Sequence, residues 1–515
     1  MNSSILSDWL GQRLDRSIDR PLYRQLQLLL RNAIDNRDLS PGTRLPSSRL
    51  LADELGIARN TVIHVYEQLA VEGYLVSVTG RGTFVADAAS DQIVGNRVKR
   101  PAPQRTRTLN GIQDESRPLR RIMPMLSYRG SQLVASAAAS KQQLGAFMPG
   151  VPDVSRFPGK VWNSLQSKYW RRQPADLLTY APAGGLSFLR EVLAEYLRTA
   201  RSVRCKATQI IITTGIHQSV DLTARLLSDV GDVVWTEDPC YWGVRNVLNG
   251  LGLRTVAIPV DSEGIAPNQG NLAAPPKLIL VTPSHQYPLG TVMSLARRRA
   301  LLDYAEQNDT WTIEDDYDSE FRYSSLPLPA LQGLDEAGRV IYVGSFGKTL
   351  FPGLRVGYVV VPEPVSEKFA TASADLYREG QLLQQAVLAE FIEEGHYASH
   401  IRRMRGLYGH RRRLLLDEVR TGFGDAYPIL GCDAGLHLVM QLPSESNDQL
   451  LAEAVLSRGV IVRALSSYFT ANVRMCKGLL LGYACVPEDE IKHAFSKVAA
   501  ALECDLVKDF EVFTP

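Results

Sequence analysis

YVGSFGKTLFPGLRVGY, Tyr342 to Tyr358, holds one lysine in a Gly- and Ser-rich turn between two apolar runs. Lys348 follows the first run, and Arg355 stands seven positions later, where the second begins. Such a lysine is either a surface charge or a covalent anchor, and the flanking sequence bears on which. Outward from it the pattern repeats. QIIITTG (209–215), DVVWTEDP (232–239), LRTVAIPV (253–260), KLILVTP (277–283), WTIEDD (311–316), RVIYVGSF (339–346) and RVGYVVVP (355–362) all read as short strands. Amphipathic segments such as LSFLREVLAEYLRTA (186–200) and SLARRRALLDYAEQN (294–308) fall between most of them. Near-continuous apolar strands alternating with helices predict an α/β fold with a large, mostly parallel sheet covered on both faces. Beyond about residue 393 the helical stretches lengthen and strands become fewer, which predicts a smaller C-terminal subdomain over about 393–515.

The 515 residues are 45% hydrophobic and 22% charged, the composition of an ordinary soluble chain. A net charge of +2 is too small to point to nucleic acid by itself. Its distribution says more: residues 87–130 carry nine Lys/Arg against four Asp/Glu, whereas residues 1–86 hold ten Arg against nine acids. The six cysteines are scattered without a CxxC pair, which argues against a metal site or a disulfide framework and suits a reducing cytoplasm. No N-terminal signal pattern is visible, and no apolar run approaches the roughly 18 residues of a membrane span. The expectation is a cytoplasmic protein with no membrane partner.

The N-terminal stretch has a different grammar. PLYRQLQLLLRNAIDN (21–36) places Leu22, Leu26, Leu29, Leu30 and Ala33 on one helical face. SPGTRLPSSRLLADELG (40–56) gives a turn and a helix, with Ser47 as N-cap and Gly56 as the stop. IARNTVIHVYEQLAVEG (57–73) follows as a second helix with Val62, Tyr66 and Leu69 on its apolar face. Arg59, Asn60, Ile63 and His64 point elsewhere. Two short helices joined by a tight Gly turn make a helix-turn-helix, and YLVSVTGRGTFVA (74–86) adds the hairpin called a wing. At the start of the second helix Arg59, Asn60 and Thr61 offer guanidinium, amide and hydroxyl groups to base edges or phosphates of double-stranded DNA. Arg81, between two glycines, lets the wing approach the duplex closely. Residues 87–127 lack periodicity, contain four prolines and read as a basic linker.

Polar residues also collect at the ends of the strands, where such sheets bind ligands. The turn Gly215-Ile216-His217 opens a helix whose first amides can hold a phosphate. Asp315 and Tyr317 sit two positions apart near a strand end, so both can face one side. Together with Ser345, Lys348 and Arg355 they describe a site for pyridoxal 5′-phosphate. A lysine forms the Schiff base, a carboxylate keeps the pyridine nitrogen protonated, and a phenol tunes the ring oxygen. Helix amides, the Ser345 hydroxyl and the Arg355 guanidinium serve the phosphate, and Tyr241 in EDPCYWG is placed to stack on the ring.

Two resemblances follow from these motifs. PGTRLPSSRLLADELGIARNTVIHVYEQLAVEGYL (41–75) with GRGTFV (80–85) resembles the winged helix of GntR-type bacterial regulators, which implies DNA contacts from Arg49, Arg59, Thr61, His64 and Arg81. YAPAGGLSFLR, TTGIHQ, EDPCY, PSHQYPLG, EDDYDSEF and GSFGKTLFPGLRVGY are similar to fold-type I aminotransferases, in the same order, over about residues 128–515. That resemblance implies Lys348 as the Schiff-base lysine, Asp315 on the pyridine nitrogen, and Tyr317 with His285 and Tyr287 near the ring oxygen. It further implies that Tyr180 reaches the neighbouring subunit's cofactor in a homodimer. The combination resembles MocR/GabR-type regulators, with a winged helix over 1–86, a linker over 87–127 and a cofactor-binding effector domain over 128–515. Promoter DNA, an amine, amino-acid or cofactor signal, and nucleoid association in a bacterial cytoplasm follow from that resemblance.

One position departs from it. Aminotransferases place a carboxylate-gripping arginine three residues before an aromatic in a late strand. In GLLLGYACV (478–486) that position is Leu480. Either the effector lacks the usual carboxylate, or another arginine such as Arg474 or Arg245 substitutes. Cys240, where glycine is usual, is a packing residue or a thiol near the cofactor. Leu480 favours sensing over turnover, with an active aminotransferase carrying a DNA-binding module as the alternative.

Overall fold

The computed structural model describes residues 3–15, 21–36, 38–78, 80–86, 126–135, 144–172, 175–323, 329–378, 380–470 and 476–511. Most of the expected linker, 87–127, lies outside these residues, as do Arg474 and the tip position Thr79. Packing divides the chain into two units, Met1–Arg120 and Arg121–Pro515, with the break inside the 87–127 stretch.

The first unit is a set of helices closed by a hairpin: α1 Ser3–Gly11, α2 Leu22–Asp35, α3 Ser48–Leu55, α4 Arg59–Val71, β1 Leu75–Val78 and β2 Gly82–Val85. Ser47 caps α3, its hydroxyl accepting from the Leu50 amide at 3.2 Å. Gly56 ends α3 at φ +61°, a left-handed position that a side chain enters only with strain. α4 buries Val62, Val65, Tyr66 and Leu69, so Val65 joins the face expected from the sequence. The Tyr66 hydroxyl donates to the Pro46 carbonyl at 3.0 Å and ties α4 to the turn before α3. The wing pairs antiparallel from Leu75↔Val85 to Val78↔Gly82. Leu45 and Thr43 extend it on the far side through Leu45 N to Thr83 O and Val85 N to Thr43 O, both 2.9 Å. The unforeseen element is α1, which buries Leu6 and Leu10 against α3. A nine-residue helix is too short to persist alone, so its existence depends on that tertiary contact.

The second unit is built on an eight-stranded sheet. Its strands are β3 Ile210–Thr213, β4 Val233–Asp238, β5 Arg254–Asp261, β6 Gly264–Ile265, β7 Leu278–Val281, β8 Trp311–Asp316, β9 Val340–Ser345 and β10 Gly357–Val360. Their order is β3-β10-β9-β8-β7-β4-β5-β6. The ladders β9-β8-β7-β4-β5 are parallel, while β10 runs antiparallel to both neighbours and β6 antiparallel to β5. Seven of these strands coincide with the runs read from the sequence; the two-residue β6 does not. Both faces are covered, as the strands' side-chain alternation requires. Ile210, Ile212 and Tyr342 pack with the helices Ser187–Arg201 and His396–Phe423, whereas Ile211, Ile341 and Val343 pack under the helix Ile216–Leu227. The C-terminal part carries a four-stranded antiparallel sheet of β11 Ile429–Leu430, β12 His437–Leu442, β13 Arg463–Ala464 and β14 Lys477–Gly482, in the order β11-β12-β14-β13. Two of these strands are only two residues long, too short to leave a periodic signal.

The cofactor cleft and the recognition helix

At the C-terminal ends of the parallel strands lies a cavity of about 530 Å³. Lys348, Asp315, Tyr317, Tyr241, Tyr287 and Ile216 line it, so six of the residues singled out from the sequence meet there. Lys348 leaves the turn after β9 and donates from Nζ to the Gly150 carbonyl at 2.7 Å. Burial holds its pKa below the usual lysine value, opposed by the charges of Asp318 and Asp315. The neutral amine is the nucleophilic form, and burial shifts the balance towards it.

Strand alternation sorts the two adjacent acids of β8. Asp315 faces the cavity. Asp316 faces the other way, where it pairs with the buried Arg201 at 2.8 Å and accepts from the Tyr342 hydroxyl at 2.5 Å. Among the described residues no donor reaches the Asp315 carboxyl. Burial, then the neighbouring Asp316 and Asp318, pushes it up to about 8 despite Lys348. A buried carboxyl without a direct ion pair is matched to a protonated ring nitrogen, and this donor set therefore fits pyridoxal phosphate.

Tyr317 is held in a network. The Tyr317 hydroxyl lies 2.9 Å from His285 Nδ1, and the Asp318 carboxylate lies 3.1 and 3.2 Å from the same nitrogen. The carboxylate favours the Nδ1–H tautomer, which leaves Nε2, buried and unpartnered, as an acceptor. His285 thus supports Tyr317 from behind rather than lining the cavity. Gly435 makes room for it, because a Cβ there would stand 2.3 Å from His285 Cε1. Tyr287 packs edge-on against Tyr317 and Tyr241, with centroids 5.6 and 6.1 Å away, and donates to the Tyr468 hydroxyl at 3.2 Å. Glu237, buried on β4, accepts from Thr282 Oγ1 at 2.6 Å and from Gln286 Nε2 at 3.3 Å, and so holds the loop that carries His285 and Tyr287.

Tyr241 stacks on His217, centroids 5.8 Å apart and planes 15° apart. Gly243 permits this, since a Cβ there would lie 2.6 Å from both rings. The helix Ile216–Leu227 starts at Gly215 without a side-chain cap on its first amides. Thr213 Oγ1 and Gln218 Oε1 instead accept from the Gly215 and Thr214 amides, at 3.3 and 2.7 Å. His217, Thr214 and Arg355 line a separate groove of about 600 Å³. Burial first, and then Arg355, keeps the His217 pKa down. Ser345 is half-buried, and its hydroxyl accepts from the Gly347 amide at 3.1 Å, leaving its own proton to donate. Tyr180 is 79% exposed, under the Arg378 guanidinium, and does not line the cavity of its own chain.

Of the substitutes considered for Leu480, Arg245 does not enter the cavity. It donates to the Tyr468 carbonyl at 3.3 Å and to Thr470 Oγ1 at 3.2 Å. Cys240 is buried beside it, its thiol pushed up to about 11 by burial, and it too stands off the lining. The residues that sequence reasoning passed over are Asp318, Glu237, Tyr468 and Arg463. Asp318 and Glu237 carried a signal, their places in EDDYDSEF and EDPCY; Arg463 and Tyr468 arrive from β13 and the turn after it.

In the first unit Arg49, Arg59, Asn60, His64 and Arg81 are exposed and Thr61 is half-buried. Arg59, Asn60 and Thr61 form the first turn of α4, whose N-cap Ala58 makes no side-chain cap bond. The His64 ring meets Tyr23 edge-on at 5.5 Å, which restrains it on the α2 side of the helix. Arg44, unremarked in the sequence, lays its guanidinium against Gly82 of the wing.

Comparison with known proteins agrees with both units. Residues 22–85 match the model described as bacterial regulatory proteins, gntR family, and residues 159–498 match aminotransferase class I and II. The probable rhizopine catabolism regulatory protein MocR of Rhizobium meliloti is 38% identical over 490 residues, covering 95% of each chain. The pyridoxine biosynthesis transcriptional regulator PdxR of Corynebacterium glutamicum is 32% identical, covering 94% of this chain and 96% of its own. Among solved structures, the α-aminoadipate aminotransferase LysN of Thermus thermophilus, complexed with N-(5′-phosphopyridoxyl)-L-leucine, superposes with a TM-score of 0.66. It is 26% identical, and the match covers 74% of this chain and all 100% of that one. Members of this aminotransferase fold bind pyridoxal phosphate, in keeping with the donor set of the cleft. No helix among the described residues is long and apolar enough to cross a membrane. The chain belongs to the MocR-type gntR regulators, transcription factors in which a gntR DNA-binding domain is joined to an aminotransferase class I and II domain.

Proposed function

We propose that this regulator, a homodimer in the bacterial cytoplasm, senses an amine, an amino acid or pyridoxal phosphate itself in the cleft around Lys348, and that this adjusts its grip on promoter DNA. The reading rests on one observation: a cleft that keeps the amine of Lys348 and the cation-seeking carboxyl of Asp315 shares a chain with a winged helix. The division of labour follows the boundaries 1–86, 87–127 and 128–515.

Bound in the cleft, the cofactor supplies an aldehyde that condenses with primary amines and a ring that withdraws electrons from them. The chain's own residues do the rest. Lys348, its pKa lowered by burial, presents Nζ as the covalent anchor. Asp315 holds the proton on the ring nitrogen, and Tyr317, oriented through His285, donates to the ring oxygen. Tyr241, backed by His217, covers one face of the ring. The uncapped amides after Gly215, the Ser345 hydroxyl and Arg355 bind the phosphate, and the exposed Tyr180 serves the partner subunit's site. Arg49, Arg59, Asn60, Thr61, His64 and Arg81 face the duplex.

Lys348→Ala tests this directly. The variant is expected to lose the visible absorbance of the bound cofactor and the effect of amines on DNA affinity, while binding an operator duplex selected from a random pool. A variant that kept the visible band would sink the anchor assignment. Steady multiple-turnover conversion of an amino acid and a keto acid by the wild type would replace the sensor with an enzyme.

A further inference from the structure

The sheet β11-β12-β14-β13 determines what stands over the cofactor cleft from the C-terminal side. Leu480 of β14 is fully buried and packs with Val439 and Leu465 under the aromatic pair Tyr287 and Tyr468. Its Cα partner across the antiparallel ladder is Arg463 of β13. Directly opposed residues in such a ladder project from the same face, one strand spacing, roughly 4.8 Å, apart. The cationic side chain absent at 480 is therefore present one strand over.

Arg463 is half-buried and lines the same cavity as Lys348 and Asp315. Among the described residues no carboxylate lies within 4.0 Å of it, although the exposed Glu453 also lines the cavity; its described hydrogen bond is a weak one to Met148 Sδ, at 3.6 Å. Lys348 Nζ bonds to Gly150, two residues along the same segment. The guanidinium and the amine thus address one short stretch of chain, 148–150, whose Cα atoms span about 7 Å at full extension. A half-buried guanidinium with five donors and no ion-paired acid is suited to an anion. The Tyr287 and Tyr468 rings, supported by Leu480, wall the space between it and the cofactor side.

We infer that Arg463 grips the carboxylate of the effector, so that the ligand of this cleft is a primary amine that also carries a carboxylate. This rests on the cofactor assignment above and deepens it. The relocation from 480 to 463 moves the anion-binding point sideways across the sheet, so the same amine and carboxylate chemistry meets a different spacing and direction from those of a transaminase. Selection among amino acids then follows from reach and angle rather than from the presence of the charge.

The test titrates full-length holo-protein with glycine, β-alanine and 4-aminobutyrate, and with their carboxylate-free counterparts methylamine, ethylamine and propylamine, following the visible spectrum. At least one amino acid is expected to bind more tightly than its matched amine. Arg463→Gln should weaken that amino acid about ten- to hundredfold, the loss of one charge-assisted pair, and leave the amines unchanged; Arg463→Lys should recover part of it. Equal affinities for amino acids and amines, or an Arg463→Gln variant that keeps the preference, would overturn the inference while the intact visible band preserves the cofactor reading. A wild type without a visible band would sink the cofactor reading instead. The anion site is then read separately in cofactor-free protein, by propionate titration against intrinsic fluorescence. Propionate binding that disappears in Arg463→Gln supports the site, and no binding to the wild type refutes it.

Discussion

The first turn of α4 and the turn that carries Lys348 are both short polar segments poised for a ligand, yet they are built on opposite principles. Arg59 and Asn60 stand exposed on a helix whose stability comes from the opposite face, from Val62, Val65, Tyr66 and Leu69. Nothing about their charge requires the core. Lys348 and Asp315 are instead held where water is scarce, and burial lowers the pKa of the first and raises that of the second. In the proposed reading DNA is met by exposed side chains, and the cofactor by groups whose chemistry burial has altered. Substitutions should accordingly have separable effects in the two units.

The largest separation is expected from Asp315→Asn. Removing the carboxyl proposed to partner the ring nitrogen should cost about 3–5 kcal/mol of cofactor binding, a hundredfold or more, read by titrating pyridoxal phosphate against the visible band. Operator affinity of the cofactor-free protein should not change. Arg59→Ala should do the reverse, costing about 1–3 kcal/mol of DNA affinity in a gel-shift or anisotropy titration while the visible band stays intact. A variant at either position that damaged both functions would break the contrast.

The altered protonation has a pH consequence. Asp315 is raised to about 8, and Glu237 and Glu314 to about 7, in each case chiefly by burial. A carboxyl raised by folding stabilises the fold in acid, and that contribution is lost as pH climbs from about 4 through the folded value. His437 and His400 are lowered to about 4 by burial and act in the opposite sense, but below about pH 6.5. Between pH 6.5 and 8 these carboxyls make the cofactor-free protein melt progressively lower, by at most about 1.4 kcal/mol per unit and group. Lys348, lowered by burial, acts in the opposite sense above its folded value. Asp315→Asn should flatten that slope, and a slope unchanged by the substitution would remove Asp315 from the account. The smallest effect belongs to the first unit. Gly56→Ala, at φ +61°, should cost about 1 kcal/mol, seen as a lower melting temperature of the DNA-binding unit with the cofactor band untouched.

Much of this was legible in the chain. Seven strands of the large sheet announced themselves as apolar runs because a strand buried on both faces has little room for polar residues. Ser47 and Gly56 marked the ends of α3 because capping is a local matter of one hydroxyl and one backbone angle. The ordered motifs around Lys348 marked the cleft. Less legible were α1, β6, β11 and β13, elements of nine residues or fewer whose stability is conferred by what they pack against.

The sequence by itself determined the two-part organisation, the α/β sheet, the winged helix and the chemical types gathered around Lys348, because periodicity, capping and motif order are written locally. Only the tertiary structure decided which way each of those groups faces. Asp315 and Asp316 are neighbours in sequence, and strand alternation sends one to the cavity and the other to Arg201. His285 turns to support Tyr317, and Arg245 turns away to Tyr468 and Thr470. Arg463 comes to oppose Leu480 through a ladder that joins residues 17 positions apart. Such pairings are long-range, and their register is set by how whole sheets bury their apolar faces rather than by any local stretch of residues.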